Sequence, residues 1–178
     1  LSFKGSAQEV IDAYSEVTGI SDKVVDLLKI ERKEGTNDLI FDQLTFCDYP
    51  IAFGKPIRFN LRLKSKEVKA VFSELEIGIA IVDRNNNTVI HCSNRFLNKL
   101  FDHPTDAVEY LVDIENNLRP GIYALTLFLK TKDTIQDWLM NAIMFEVGDG
   151  NPYHFSDTKQ IRGVIFPIFD ISSTCKGK

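Results

Sequence analysis

The fold is decided by residues 118–129, which read Leu-Arg-Pro-Gly-Ile-Tyr-Ala-Leu-Thr-Leu-Phe-Leu. The Pro-Gly pair predicts a turn, and from Tyr123 onward every second residue is suited to a buried face, as on a strand. A tyrosine at the start of a strand, directly after a turn, is typical of the tyrosine corner of immunoglobulin-like sandwiches, in which its hydroxyl bonds to nearby backbone. The stretch therefore predicts an immunoglobulin-like topology.

The same period of two continues outward from about residue 38, in runs rich in Ile, Val, Phe and Leu. Polar or Gly/Pro turns separate the runs, among them Gly54-Lys55-Pro56 and the Asn-rich residues 83–87. We predict strands at 39–46, 57–63, 75–82, 88–92, 108–114, 122–130, 142–147 and 160–169. The fold class is all-β, an antiparallel β-sandwich of about eight strands.

Residues 1–30 lack this pattern. Ser6 and Glu9 are spaced as a helix-capping pair before apolar residues at helical spacing, so we predict a short amphipathic helix over 6–14. Residues 22–30 fit either a helix or an edge strand. We expect the chain to be part of a longer protein, with a helical linker at 1–30 and the sandwich at 31–178.

Composition excludes several classes of protein. The formal net charge is -4 and no basic cluster exists, which disfavours nucleic acid as a partner. The three cysteines are an odd number and form no C-x-x-C pair, so neither a disulfide framework nor a metal site is expected and a reducing compartment fits best. No apolar run reaches the roughly 20 residues that span a bilayer.

Four segments resemble the carbohydrate-binding C-terminal domain of Wzt-type ATPases, the nucleotide-binding subunits of ABC transporters that export O-antigen polysaccharide. They follow one another in the order of the family and are distributed over most of the chain, from residue 5 to residue 147. They are 5–14 (Gly-Ser-Ala-Gln-Glu-Val-Ile-Asp-Ala-Tyr), 54–59 (Gly-Lys-Pro-Ile-Arg-Phe), 77–83 (Ile-Gly-Ile-Ala-Ile-Val-Asp), and 118–123 together with Phe145-Glu146-Val147.

The resemblance implies a module that catalyses nothing and binds the modified non-reducing end of O-antigen, permitting its export across the inner membrane. It implies a cytoplasmic location at the inner face of the bacterial inner membrane, and contact with the transmembrane permease subunit through the full-length protein. The chain contains no G-x-x-x-x-G-K-[ST] loop, so ATP and Mg would bind in a missing N-terminal domain, and this fragment would hold no cofactor.

The resemblance also implies a homodimer in which C-terminal strands take part. The apolar run within 160–169 follows a loop, 148–157, that is long enough for the run to reach a partner subunit. An ordinary edge strand of its own sheet, limited by Pro167, is the alternative.

A sugar site needs an aromatic ring and several fixed polar groups on a concave face. Alternation places such groups on the outward face of the strands near residues 76–80 and 126–128. The candidate carbohydrate-binding residues are Phe128, Thr126, Glu76, His91, Gly78, Ala80, Trp138 and Arg95.

Each candidate also has a plainer interpretation. Phe128 can lie under a loop or at a dimer contact, and His91 can be an ordinary solvated or core histidine. Trp138 is predicted in a polar connection over 130–141, where it either stacks on sugar or caps the core. Arg95 and Arg84 can meet an anionic group on a glycan or serve solubility alone.

Two other functions compete with sugar recognition. A glycoside hydrolase needs two carboxylates facing each other across a cleft, and Asp83, Asp113 and Asp133 fall at turns or strand ends instead. A structural dimerisation sandwich would bury the exposed aromatic ring against protein. Asn86-Asn87-Thr88 matches a glycosylation sequon but is predicted to be a hairpin turn.

Overall fold

The computed structural model describes residues 23–67, 70–103, 108–132, 134–153, 162–167, 169 and 171. These residues form two antiparallel sheets packed face to face, so the predicted all-β sandwich is confirmed. The strands are β1 (Val24–Asp26), β2 (Leu39–Phe46), β3 (Ile57–Ser65), β4 (Phe72–Val82), β5 (Thr88–Ser93), β6 (Phe101–His103), β7 (Val108–Ile114), β8 (Gly121–Thr131) and β9 (Thr134–Val147).

One sheet has the order β1-β2-β3-β7, and we call it sheet A. The other, sheet B, has the order β5-β4-β8-β9, with β6 also paired to β4. Two 3₁₀ helices, Leu27–Lys29 and Asn94–Leu97, interrupt the strands. Within the described residues, no helix has the length and hydropathy that a bilayer-spanning helix needs.

The core lies between the sheets and consists of the alternate side chains that the period of two selects. Each fully buried Leu, Ile or Phe contributes about 1.5–3 kcal/mol, so this layer is the main source of stability. Alternate residues of β3, β4, β8 and β9 are buried: Ile57, Phe59, Leu61, Leu63, Ile77, Ile79, Ile81, Tyr123, Leu125, Leu127, Leu129, Ile143, Phe145 and Val147.

The tyrosine corner is present. The Tyr123 hydroxyl donates to the carbonyl oxygen of Arg119 at 2.8 Å, tying the start of β8 to the turn before it. Gly121 in this turn has φ +156°.

Two predicted strands differ from the observed structure by more than three residues. β9 begins at Thr134 rather than at 142, so the predicted polar connection over 130–141 is wrong and β8 and β9 form one long hairpin. The predicted strand over 160–169 is wrong for residues 162–167, whose one bridge joins Ile165 to Leu118. A positive φ at Gly163 and the missing amide of Pro167 both work against a ladder here.

The segment before β2 contains an edge strand, one of the two interpretations left open for residues 22–30. The predicted helix over 6–14 lies outside the described residues, but residues 24–29 form β1, which pairs with β2, and a 3₁₀ helix. Leu27 is fully buried in the core. The sandwich therefore includes part of the stretch that the sequence assigns to the linker.

Residues 32–37 cover the outer edge of β9, and we call this segment the clasp. Three of its backbone amides donate to β9 carbonyls at 2.8–3.1 Å. The pairs are Lys33 to Trp138, Thr36 to Ile135 and Asn37 to Gln136. The clasp thus extends sheet B beyond its last strand.

Candidate functional site

A groove of about 510 Å³ runs over the outer face of sheet B. This volume is within the range of about 300–1,000 Å³ typical of small-ligand sites. Its floor is low because β4 contributes Gly78 and Ala80 at successive outward positions, with Thr126 of β8 opposite Ala80. The lining residues are Glu76, Gly78, Ile79, Ala80, Val82, Asn86, Thr88, His91, Phe96, Thr126, Phe128, Trp138, Met140 and Asn141.

Gly78 determines where the Phe128 ring lies. The two residues are direct partners in the β4–β8 register. A Cβ at position 78 would lie 3.3 Å from the Phe128 Cβ and 3.4 Å from its Cδ1, so the ring leans over the glycine. A larger residue at 78 would move the ring and raise the floor.

Aromatic side chains form both walls of the groove. On one side, Phe128 and Trp138 are partners across β8 and β9, with ring centroids 5.6 Å apart and an interplanar angle of 88°. On the other side, His91 of β5 contacts Phe96 of the second 3₁₀ helix, with ring centroids 5.2 Å apart and an interplanar angle of 86°. These edge-to-face contacts fix the ring orientations.

Trp138 lies in β9, not in the loop that the sequence predicts. Its neighbour Asp137 is fully buried and accepts a hydrogen bond from the Phe41 amide of β2 at 2.9 Å. Polar residues therefore face inward at this point. For this reason the alternation of apolar residues does not predict a strand here. The strand assignment places the indole on a rigid element rather than on a loop.

One end of the groove holds a carboxylate that is already paired. Glu76 accepts hydrogen bonds from the Ser93 hydroxyl at 3.1 Å and from Nη1 of Arg95 at 3.2 Å. Arg95 does not line the groove, and its side chain is largely exposed, so its part in the site is to hold Glu76. Arg84 lies elsewhere, in a separate depression beside Arg119.

The other end holds amides that the sequence did not point to. The Asn141 side chain donates to the Asn86 side chain at 2.9 Å, and the Asn141 backbone amide donates to the Thr126 hydroxyl at 3.0 Å. Both asparagines have left-handed backbone, with φ +65° at Asn86 and +48° at Asn141, which Asn tolerates better than most residues. The hydrogen bond joins the β4–β5 turn to β9.

The β4–β5 turn itself is organised by Asp83. Its carboxylate accepts hydrogen bonds from the Asn87 side chain and from the backbone amides of Asn87 and Asn85, which together hold the pKa of Asp83 below its usual value. The sequon at residues 86–88 therefore lies in the tip of a hairpin and at its second strand.

Seven of the eight predicted binding residues line this single groove, and Arg95 contacts one of them. The other lining residues were not predicted as binding residues: Ile79, Val82, Asn86, Thr88, Phe96, Met140 and Asn141. The Asn-rich turn was the available signal for Asn86, whereas Met140 and Asn141 depend on the unpredicted first half of β9. Sugar binding by these residues stays a prediction.

The groove offers little to a hydrolase. Among the described residues that line it, Glu76 is the single carboxylate, whereas glycoside hydrolysis commonly needs two. Asp113 lies on sheet A, where it pairs with Arg58 at 2.7 Å, and Asp133 lies outside the described residues. Cys92 follows His91, but burial raises the pKa of its thiol. No group of His, Cys, Asp and Glu within the described ranges could hold a metal ion.

Comparison with known proteins identifies the family. The family model described as the Wzt C-terminal domain matches residues 47–166. This chain belongs to the Wzt C-terminal domain family. Residues 47–166 include β3 to β9 and hence all of the strands that build the groove, so the Wzt C-terminal domain assignment covers the candidate site.

The fold of a Wzt C-terminal domain is also found by structural comparison. The crystal structure of the C-terminal domain of wzt matches with a TM-score of 0.65 and 12% sequence identity, covering 84% of this chain and 95% of that one. The X-ray structure of Northeast Structural Genomics Consortium target SoR45 matches with a TM-score of 0.34 and 13% identity, covering 71% and 85%. No curated protein matched the sequence.

Proposed function

We propose that this domain binds a carbohydrate in the groove of sheet B and catalyses no reaction. The observation that supports this most directly is the combination of a glycine-floored trough with aromatic walls, Phe128 and Trp138 on one side and Phe96 on the other. Pyranose rings have apolar faces that pack on aromatic rings, and hydroxyls at their edges that need fixed donors and acceptors.

The polar groups of the groove suit such hydroxyls. Glu76 supplies carboxylate oxygens at one end, and Asn86, Thr126 and Asn141 supply amide and hydroxyl groups at the other. Because strands and a hydrogen-bonded turn carry these groups, little conformational entropy would be lost when a sugar binds.

Membership of the Wzt C-terminal domain family extends the proposal to a biological role. The carbohydrate would be the modified non-reducing end of O-antigen polysaccharide, and its binding would permit export across the inner membrane. The domain would then act in the cytoplasm at the inner face of the bacterial inner membrane, joined to an ATPase domain that binds ATP and Mg and contacts the transmembrane permease subunit.

Titration tests the proposal. The protein is titrated with the surface polysaccharide purified from its source, with and without the terminal modification, while Trp138 fluorescence and calorimetric heat are followed. Saturable binding that requires the modification is the expected result. Absence of binding to either form would refute the sugar proposal.

The variant Phe128→Ala assigns binding to the groove. We expect it to weaken polysaccharide binding by at least about 10-fold, corresponding to about 1.4 kcal/mol for the lost ring contact. The fold and the oligomeric state should not change, because Phe128 is outside the core. Unchanged affinity with an altered oligomeric state would instead move Phe128 to a protein interface.

A dimerisation module is the second candidate, and exposed apolar side chains favour it. Phe96, Leu97 and Leu111 are each more than half exposed and border an apolar cleft of about 770 Å³ between β5 and β7. Phe169 and Ile171 in the C-terminal segment are also exposed. Light scattering on the wild type and on Ile171→Ser would detect a homodimer that uses this segment.

A further inference from the structure

The clasp contacts the groove directly through one lysine. The Nζ atom of Lys33 lies 3.8 Å from the centroid of the Trp138 ring, a distance that places the ammonium over the face of the indole. The Lys33 backbone amide also donates to the Trp138 carbonyl at 2.8 Å. The main chain and the side chain of Lys33 thus both contact Trp138.

The rest of the clasp fixes where Lys33 lies. Arg32 forms an ion pair of 3.1 Å with the buried Asp137 of β9. The Thr36 hydroxyl donates to the Gln136 side chain at 2.9 Å. Gly35 has φ +139°, and a Cβ there would overlap the Gln136 carbonyl oxygen, so the chain approaches β9 more closely than any other residue would permit.

The two contacts on Trp138 together set its orientation. The Lys33 ammonium lies over one face of the indole. The Phe128 ring contacts the indole from within the groove, at an interplanar angle of 88°. A cation over an indole face stabilises the arrangement by about 0.5–1 kcal/mol at an exposed site. Loss of the cation would let the ring turn on its Cβ and change the groove wall.

We propose that Lys33 is a positioning residue of the groove, which holds Trp138 in the orientation that receives the ligand, so that ligand binding and ordering of the clasp stabilise each other. The proposal rests on the sugar-binding function proposed above. By linkage, the factor by which the clasp contact strengthens binding equals the factor by which bound ligand suppresses clasp opening.

Three variants test this on the full chain. Lys33→Met keeps the apolar stem and removes the charge, Lys33→Arg retains a cation that can cover the indole, and Lys64→Met removes a charge from an exposed position of β3 on the other sheet. Trp138 is the only tryptophan of the sequence, so fluorescence reports on it alone.

The expected results are specific to positioning. Lys33→Met should increase acrylamide quenching of Trp138 and weaken binding of the purified surface polysaccharide by about 2- to 5-fold, the equivalent of the cation–π contact. Lys33→Arg should restore both values, and Lys64→Met should change neither. Saturating polysaccharide should slow hydrogen exchange of the amides of residues 33, 36 and 37 by a similar factor.

Each result decides between the two proposals. If the wild type binds polysaccharide but Lys33→Met binds equally well, or if clasp exchange does not respond to the ligand, the role of Lys33 is refuted while sugar binding stands. If the wild type binds no polysaccharide, both proposals are refuted together. If Lys33→Met leaves Trp138 quenching unchanged, the positioning contact itself is absent.

Discussion

Removing the Asp137 carboxylate should cost more stability than any surface substitution. The side chain is fully buried, accepts from the Phe41 amide at 2.9 Å and lies 3.1 Å from Nε of Arg32. Breaking a buried ion pair by deleting one partner costs about 3–5 kcal/mol. In Asp137→Ala, Arg32 retains its hydrogen bonds to the carbonyl oxygens of Ile30 and Phe41. The loss of stability should therefore lie at the low end of this range, at about 3 kcal/mol.

Urea denaturation measures this loss. For a domain of this length, a loss of about 3 kcal/mol lowers the melting temperature by about 6–12 °C, and the urea midpoint should fall without a change in m-value. Asp113→Ala is the matched control, because its pair with Arg58 is half exposed and worth at most about 1 kcal/mol. A loss below about 1 kcal/mol for Asp137→Ala would refute the view that the clasp is held by a buried charge.

The pH dependence measures a second property of Asp137, the penalty of burying its charge, which opposes the attraction of Arg32. Desolvation raises the pKa of Asp137 above its ordinary value of 3.8, and the hydrogen bond from the Phe41 amide and the charge of Arg32 offset this only in part. A raised folded-state pKa means that this group favours folding fully below about pH 3.8 and loses that contribution as the pH rises through the folded pKa. The stability of wild type relative to Asp137→Asn should therefore decrease with rising pH in that window. An increase would show that the pKa of Asp137 is not raised in the folded protein.

Two further substitutions test the corner and the groove floor. Tyr123→Phe removes the hydroxyl bonded to Arg119 and should cost about 0.5–1.5 kcal/mol in urea denaturation, whereas an unchanged midpoint would show the corner to be dispensable. Gly78→Val should displace the Phe128 ring and abolish polysaccharide binding at micromolar concentration while circular dichroism stays that of the wild type. Full binding by this variant would exclude the groove floor from the site.

Alternation of side chains was sufficient to predict most of the sandwich. The boundaries of β2 and β7 agree with the prediction at both ends. The apolar positions of β7 recur at every second residue, whereas β2 contains a bulge between Phe41 and Gln43 and is bounded by its apolar ends, Leu39 and Phe46. The same rule placed Glu76, Gly78, Ala80, Thr126 and Phe128 on one outward face, and the register of β4 and β8 brings them together. The face on which a side chain lies depends only on whether its position along the strand is odd or even, so it can be predicted from a single sequence.

What could not be predicted depends on contacts between distant segments. The first half of β9 looks like a loop because Gln136 and Asp137 are polar, yet Thr36 and Thr131 bind the first and Arg32 binds the second. No local pattern encodes the contacts of Thr36 and Arg32, which are distant from β9 along the chain. The Asn86–Asn141 hydrogen bond could not be predicted either, because its two residues are also far apart in the sequence.

The clasp has a consequence for how the protein behaves in concentrated solution. An uncovered outer strand presents unpaired amides and carbonyls to which another chain can add, and long edges of this kind promote aggregation. On β9 the carbonyls of residues 135, 136 and 138 are already bonded to clasp amides. The sheet can therefore keep one whole face open while residues 135–138 of its longest strand, the part that the clasp covers, are closed to the addition of another chain.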